Sequence, residues 1–306
     1  MALMGSQKYP LKPEYCDHII NSVKLTGHCV LEQVWDVTFL DKVFSVADRF
    51  FEAKDQVWYL GKMPSGELNQ YFGSFYDVFD NHLNDDFFDC IATSALPMLF
   101  TVMLQGRFAI MKNERAVRRV DPKFPVRLSG FHVDGQLSKL SSQGFHTQDE
   151  YTVWSPLVDV MDDCTPRLML IDRNDHASFL ALYDSIVIDL GAKKNIPILG
   201  LSKLNLDLEK KFLKEILVAR ENAYAAVVEK QKCYAPKLKK GDAIIFDKNI
   251  WHSSFIPPFF ENKRLSLDFR IVGDHTPTTD EGWDGRFFSY KNRFLSKKKL
   301  IMEKYR

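Results

Sequence analysis

Three residues of this chain have the types and spacing to hold a metal ion together. His132 and Asp134 stand in SGFHVDGQ, an imidazole and a carboxylate two positions apart. In an extended segment such residues face the same way, about 6.6 Å apart at Cα. Gly135 lets the chain turn sharply behind them. His252 follows a β-like run in GDAIIFDKNIWHSS. Two neutral imidazoles and one carboxylate hold one face of an octahedral iron(II) ion and leave three positions open. A bidentate 2-oxo acid and dioxygen would fill those three. Beyond His252, the run RLSLDFRIV begins with Arg264 and places Ser266 two residues on. A guanidinium fork matches a carboxylate, and a hydroxyl adds one hydrogen bond. This pair is the candidate grip for the far carboxylate of such an acid.

These residues need strands to position them. RLSLDFRIV alternates cleanly, with Leu265, Leu267, Phe269 and Ile271 on one face and Arg264, Ser266, Asp268 and Arg270 on the other. Two readings follow: the polar face meets water, as in an ordinary half-buried strand, or it lines a barrel lumen. Further β-like runs occur at 107–112, 151–160, 167–171, 185–190 and 243–247, several bounded by turn residues such as Gly241-Asp242. Residues 36–57 carry Leu40, Val43, Phe44, Ala47, Phe50 and Phe51 at helical spacing, and 205–231 carry Phe212, Ile216, Ala219, Ala223 and Val227. The expected architecture is one domain over 1–306, mainly β with flanking helices. It has a mostly helical part at 1–104, a β-barrel core at 105–275 with a helical insertion near 205–231, and a basic segment at 276–306. Residues 286–306 hold eight Lys/Arg and one Glu. They are read as a solvated C-terminal helix or a contact for an acidic partner.

Composition excludes several function classes. Forty-one Lys+Arg against 40 Asp+Glu leave no overall charge bias towards nucleic acid or an anionic membrane. No apolar run approaches the ~18 residues of a membrane span, and the start shows no apolar run after a basic end. Five scattered cysteines without CxxC spacing argue against a zinc ribbon and fit a reducing compartment. A cytoplasmic location is expected. No Walker A, dinucleotide-binding glycine pattern, Gly-x-Ser-x-Gly elbow or HExxH occurs, which leaves nucleotide hydrolysis, hydride transfer, serine hydrolysis and zincin chemistry without local support. The acidic run through Asp77, Asp80, Asp85, Asp86 and Asp89 lacks calcium-loop spacing and reads as a solvated face. Tyr71, Phe72, Phe75 and Tyr76 form an aromatic cluster, read as packing or as a pocket cover.

FHVDGQ at 131–136, YTVWSPLVDV at 151–160 and GDAIIF…WHSS…RLSLDFR at 241–270 carry a resemblance. The stretch from 127 to 272 resembles the iron(II)/2-oxoglutarate-dependent dioxygenases, most closely their phytanoyl-CoA dioxygenase-like branch. The resemblance implies a double-stranded β-helix, a jelly-roll or cupin-like barrel. It implies His132, Asp134 and His252 as catalytic iron ligands. Arg264 and Ser266 would bind 2-oxoglutarate, with Trp154 lining the pocket and Ser254 touching the same cosubstrate. Dioxygen would be the oxidant, and 2-oxoglutarate would leave as succinate and carbon dioxide. A related halogenase branch lacks the metal-bound carboxylate, so Asp134 implies hydroxylation of an unactivated C–H bond in a small molecule rather than chlorination, with desaturation, ring closure or demethylation as alternatives on the same triad. Arg127 and Arg270 are candidates to meet an anionic group of the substrate, as are Arg118 and Arg119. The segment DDCTPRLMLIDRNDHAS departs from the glycine-rich turn of many relatives. Two other classes fit the triad: a zinc-dependent hydrolase, and a catalytically silent barrel that binds a ligand. The zinc reading leaves Arg264 and Ser266 without a task.

Overall fold

In a computed structural model of the chain, the described residues are 13–59, 74–75, 78–111, 114–123, 131–134, 150–193, 226–228, 233–273, 283–290 and 300–304. The first part contributes helices α1 (Pro13–Thr26), α2 (Val37–Tyr59), α3 (Asn84–Thr93) and α4 (Leu96–Met103), with strands β1 (His28–Leu31) and β2 (Ser74–Phe75) between them. Then come β3 (Phe108–Met111), β4 (Ala116–Val120), β5 (Glu150–Pro156), β6 (Arg167–Leu170) and helix α5 (His176–Lys193). Strands β7 (Ala243–Asp247), β8 (His252–Phe255), β9 (Arg264–Gly273), β10 (Trp283–Tyr290) and β11 (Leu300–Lys304) complete the order. No single described helix is long and apolar enough to cross a membrane.

Two antiparallel sheets face each other. The larger runs β1-β7-β5-β9-β3-β10-β11, with β4 also on β9 and β2 on β4; the smaller pairs β6 with β8. Side chains directly opposite across a strand pair share a face, so the register sorts the large sheet into two surfaces. Val153, Ile245, Leu265, Leu267, Phe269 and Ile271 point to the helices and join one core with Leu40, Val43, Phe87 and Phe100. The helical stripe read at 36–57 supplies Leu40, Val43, Ala47 and Phe51 to it. Trp154, Ile244 and Phe246 point the other way and pack against Leu168 and Leu170 of the small sheet. All ten residues of β9 are buried. Its polar face therefore lines the space between the sheets, and the reading that turned this face to water does not hold. Full burial of each apolar partner on its opposite face contributes about 1.5–3 kcal/mol, which helps hold the polar row indoors.

The strands expected at 107–112, 151–160, 167–171, 243–247 and 264–272 correspond to β3, β5, β6, β7 and β9. The strand expected at 185–190 is corrected: that run lies inside α5. Its β-branched Ile186-Val187-Ile188 suggested a strand, but Phe179, Leu180, Tyr183 and Ile186 sit at helical spacing and pack with Phe131 and Trp251 outside the small sheet. Tertiary packing outweighs the weaker local β-preference here. A second correction concerns 286–306, where the backbone of 286–290 continues β10 and 300–304 forms β11, paired antiparallel with it, rather than a helix. Of the helical insertion at 205–231, only 226–228 are described, and they are helical.

Two glycines make the turns that set the sheet edge. Gly241, with φ +103°, turns the chain into β7, and its carbonyl accepts from the backbone of Val34 and Trp35. Gly27, with φ +88°, leads from α1 into β1, and its carbonyl accepts from Asp247 N–H. A Cβ on Gly27 would stand 2.0 Å from Ile250 Cδ1, two residues before His252. Gly27→Ala is therefore expected to cost about 1–3 kcal/mol through strain and clash, read as a fall in melting temperature; an unchanged melting temperature would contradict this packing.

Candidate metal centre and anion grip

His252 begins β8, and its delivery is built by the preceding turn. Asn249 N–H donates to Asp247 Oδ1 at 2.8 Å and Ile250 N–H to the Asp247 carbonyl at 2.9 Å. The β7–β8 connection is thus closed by its own aspartate. His132 and His252 then form a two-bond backbone bridge, with N···O distances of 3.1 and 2.9 Å. Their rings lie 4.2 Å apart between centroids. Asp134 follows two residues on and is buried. Ligand atoms from His132, Asp134 and His252 all lie within 4.8 Å of one another, and no other such group occurs among the described residues.

The tautomer of His252 follows from its neighbour. Nδ1 lies 2.9 Å from the Ile250 carbonyl, which can only accept, so Nδ1 carries the hydrogen. Nε2 is the ring nitrogen turned towards the carboxylate, 3.7 Å from Asp134 Oδ1. Around Asp134 the environment favours charge. Arg270 Nη2 donates to Oδ1 at 2.6 Å and Thr152 Oγ1 to Oδ2 at 2.5 Å. Burial alone would raise this carboxyl. The Arg270 guanidinium, the two histidines and the Thr152 hydroxyl outweigh it and hold the group well below the usual carboxylate range. Two imidazoles and a charged carboxylate converging on one point suit a divalent cation.

Further along the polar face of β9 the balance differs. Arg264 is 3% exposed and Ser266 0%. Arg264 Nη2 reaches Ser254 Oγ at 3.4 Å, and the guanidinium lies 5.5 Å from the Trp154 ring centroid. Its Nε and Nη1, and the Ser266 hydroxyl, have no hydrogen-bond partner among the described residues. Burial lowers the Arg264 pKa to about 10; Asp268 acts to raise it and nearby Arg118 to lower it. Buried polar groups are ordinarily paired, so three such orphans facing one space mark a site shaped for an anion.

The four residues singled out around this grip, Arg264, Ser266, Trp154 and Ser254, are brought together between the sheets. Arg270 is not open towards a ligand, being engaged with Asp134, Asp268 and Glu114. Arg118 pairs with Asp268 at 2.9 Å and donates to Ser74 at 2.8 Å. Arg119 points to the helix side, 2.7 Å from Asp55 and over the Phe51 ring. Arg127 lies outside the described residues, as do Tyr71, Phe72 and Tyr76 of the aromatic cluster; Phe75 is core. Asp85, Asp86 and Asp89 are exposed on α3, the solvated face expected. Thr152 escaped the sequence reading, although it stands two residues before Trp154 and so on the same strand face. Burial pushes the thiols of Cys16, Cys90 and Cys233 up to about 11, so none of these is a poised nucleophile.

No protein-family model matches the chain, and no curated protein does. Solved structures do match. EctD from S. alaskensis, crystallised with 2-oxoglutarate and 5-hydroxyectoine, aligns over 91% of this chain and 82% of its own with a TM-score of 0.55 at 12% identity. The chain has the EctD fold. EctD with bound Fe gives the same TM-score and identity over 90% of this chain and 82% of EctD. AviO1 from Streptomyces viridochromogenes Tue57 aligns over 86% of this chain and 97% of its own, with a TM-score of 0.50 and 11% identity. Identities this low make the likeness to EctD and AviO1 one of fold.

Arg264 yields the prediction of this site. A buried guanidinium with two donors unpaired among the described residues carries a desolvation cost that an apolar chain of similar length does not. Arg264→Met is expected to leave the melting temperature of the ligand-free protein unchanged or raised. A large fall would show the guanidinium to be a structural member of the core.

Proposed function

We propose that this chain is an iron(II)- and 2-oxoglutarate-dependent oxygenase that hydroxylates an unactivated C–H bond of a small molecule. The carrying observation is the buried Arg264/Ser266 pair, whose Arg264 Nε and Nη1 and Ser266 hydroxyl have no hydrogen-bond partner among the described residues, on the same inward strand face as Arg270, which meets Asp134 of the His132/Asp134/His252 cluster. We read the two facing sheets as the double-stranded β-helix that the sequence motifs imply. The EctD fold supports that reading, and EctD itself is found with Fe and with 2-oxoglutarate.

In this reading His132, Asp134 and His252 hold iron(II) on one face. Arg264, helped by Ser266 and Ser254, receives the distal carboxylate of 2-oxoglutarate. Trp154, Ile244, Leu168 and Leu170 form an apolar wall that keeps the pocket largely dry, where a charge-assisted pair is stronger than in water. Bound together, the metal and cosubstrate supply oxidative decarboxylation by dioxygen, giving succinate, carbon dioxide and an oxidant for the substrate C–H bond. The protein orients the reactants and excludes water. The phytanoyl-CoA dioxygenase-like assignment rests on the sequence motifs. The near-balanced charge of the chain supports a small-molecule substrate over nucleic acid or an anionic membrane. Five free cysteines support a reducing, cytoplasmic location.

A zinc hydrolase would use the same three ligands but has no use for a buried carboxylate grip. Anaerobic addition of iron(II) and then 2-oxoglutarate separates the two. A weak visible charge-transfer band is expected only with both present, absent in Asp134→Ala and weakened in Arg264→Ala. Asp134→Ala should also lose all 2-oxoglutarate-dependent succinate release. Tight zinc binding without the band, or full turnover by Asp134→Ala, would overturn the oxygenase reading.

A further inference from the structure

We propose that Arg270 is a positioning residue of the metal centre, clamping the Asp134 carboxylate together with Thr152 so that it offers one fixed oxygen to a divalent cation. This rests on the reading of His132, Asp134 and His252 as the cation's ligands. Arg270 and Thr152 stand directly opposite each other on β9 and β5. Each takes one carboxylate oxygen: Arg270 Nη2 meets Oδ1 at 2.6 Å, and Thr152 Oγ1 meets Oδ2 at 2.5 Å. With a donor on each oxygen the carboxylate plane cannot turn freely, while Oδ1 still faces His252 Nε2 at 3.7 Å.

Arg270 is itself prevented from following a moving carboxylate. Its Nη1 lies 3.3 Å from Asp268 Oδ2, 3.3 Å from Glu114 Oε2 and 3.5 Å from the Glu114 carbonyl. Asp268 is in turn gripped on both oxygens by Arg118, at 2.9 and 3.2 Å, and Arg118 Nη1 donates to Ser74 at 2.8 Å. The clamp is therefore tied to β2, β4, β5 and β9. Mere neutralisation of Asp134 would be met by any buried cation. A planar fork with several fixed partners additionally fixes direction, which a lysine cannot reproduce. Partners of this kind around a metal ligand typically change metal affinity by about 10–100-fold.

Cobalt(II) is the probe, titrated alone into the parent protein and into Arg270→Lys, Thr152→Val and Asp134→Ala. Affinity is read by calorimetry, the ligand field by visible absorption, and folding by thermal melts. Arg270→Lys is expected to fold, to bind cobalt(II) about 10–100-fold more weakly and to show an altered visible spectrum. Thr152→Val should shift the same two readouts less. Parent affinity and parent spectrum in Arg270→Lys overturn the proposal. Should Arg270→Lys not fold, Thr152→Val decides alone, since it removes one hydroxyl at nearly constant shape, and unchanged affinity and spectrum in it overturn the clamp. A parent that binds no cobalt(II) overturns the metal reading and the clamp with it. A parent that binds, with Asp134→Ala that does not and clamp variants that bind like the parent, overturns the clamp only.

Discussion

Strand β9 is buried on both faces, and most of the site follows from that constraint. Every polar group on its inward face must find a partner within the protein or leave a desolvated donor or acceptor. Asp268 finds Arg118, and Arg270 finds Asp134, Asp268 and Glu114. Arg264 Nε and Nη1 and the Ser266 hydroxyl, at the start of the strand, do not among the described residues. One row of alternating residues thus satisfies its carboxylate and leaves a cationic fork partly unsatisfied at a defined place. The helices matter because Leu265, Leu267, Phe269 and Ile271 bury against them with no exposed surface. That apolar burial holds the polar row in a position it would not choose alone.

The charges on and around this row also fit the proposed chemistry. Arg118, Arg264 and Arg270 stand against Glu114, Asp134 and Asp268. A divalent cation at the triad and a dianionic 2-oxo acid at Arg264 would add equal and opposite charge to this region. Either alone would unbalance a region where charge is poorly screened. Cosubstrate binding is therefore expected to depend on the metal, for electrostatic reasons as well as through chelation.

Much of this was legible in the sequence because the strand period is two. The alternation of RLSLDFRIV named both faces of β9, and it set the hydroxyl and guanidinium of the proposed grip two apart. His-x-Asp and the distant histidine were readable as residue types, but their convergence depends on the backbone bridge between His132 and His252, which no local pattern announces. Which way the polar face points was open until the helices were seen to cover the other side. Thr152 lay on an obvious strand, yet its role depends on Arg270 opposite it, a cross-strand relation invisible to a linear reading. The run at 185–190 misled for the converse reason. Its β-branched residues spoke for a strand, while packing with Phe131 and Trp251 holds it in α5.

The central claim is that the triad and the Arg264/Ser266 pair form one site for a metal-chelated dicarboxylate. Calorimetric titration of the manganese(II)-loaded and metal-free protein, with 2-oxoglutarate and with 2-oxobutyrate, which lacks the distal carboxylate, tests it most directly. The account predicts that 2-oxoglutarate binds the metal-loaded protein and not the metal-free one. It also predicts that losing the distal carboxylate costs at least about tenfold in affinity, the scale of one charge-assisted hydrogen bond. Equal affinity for the two acids, or binding of 2-oxoglutarate that ignores the metal, would contradict it.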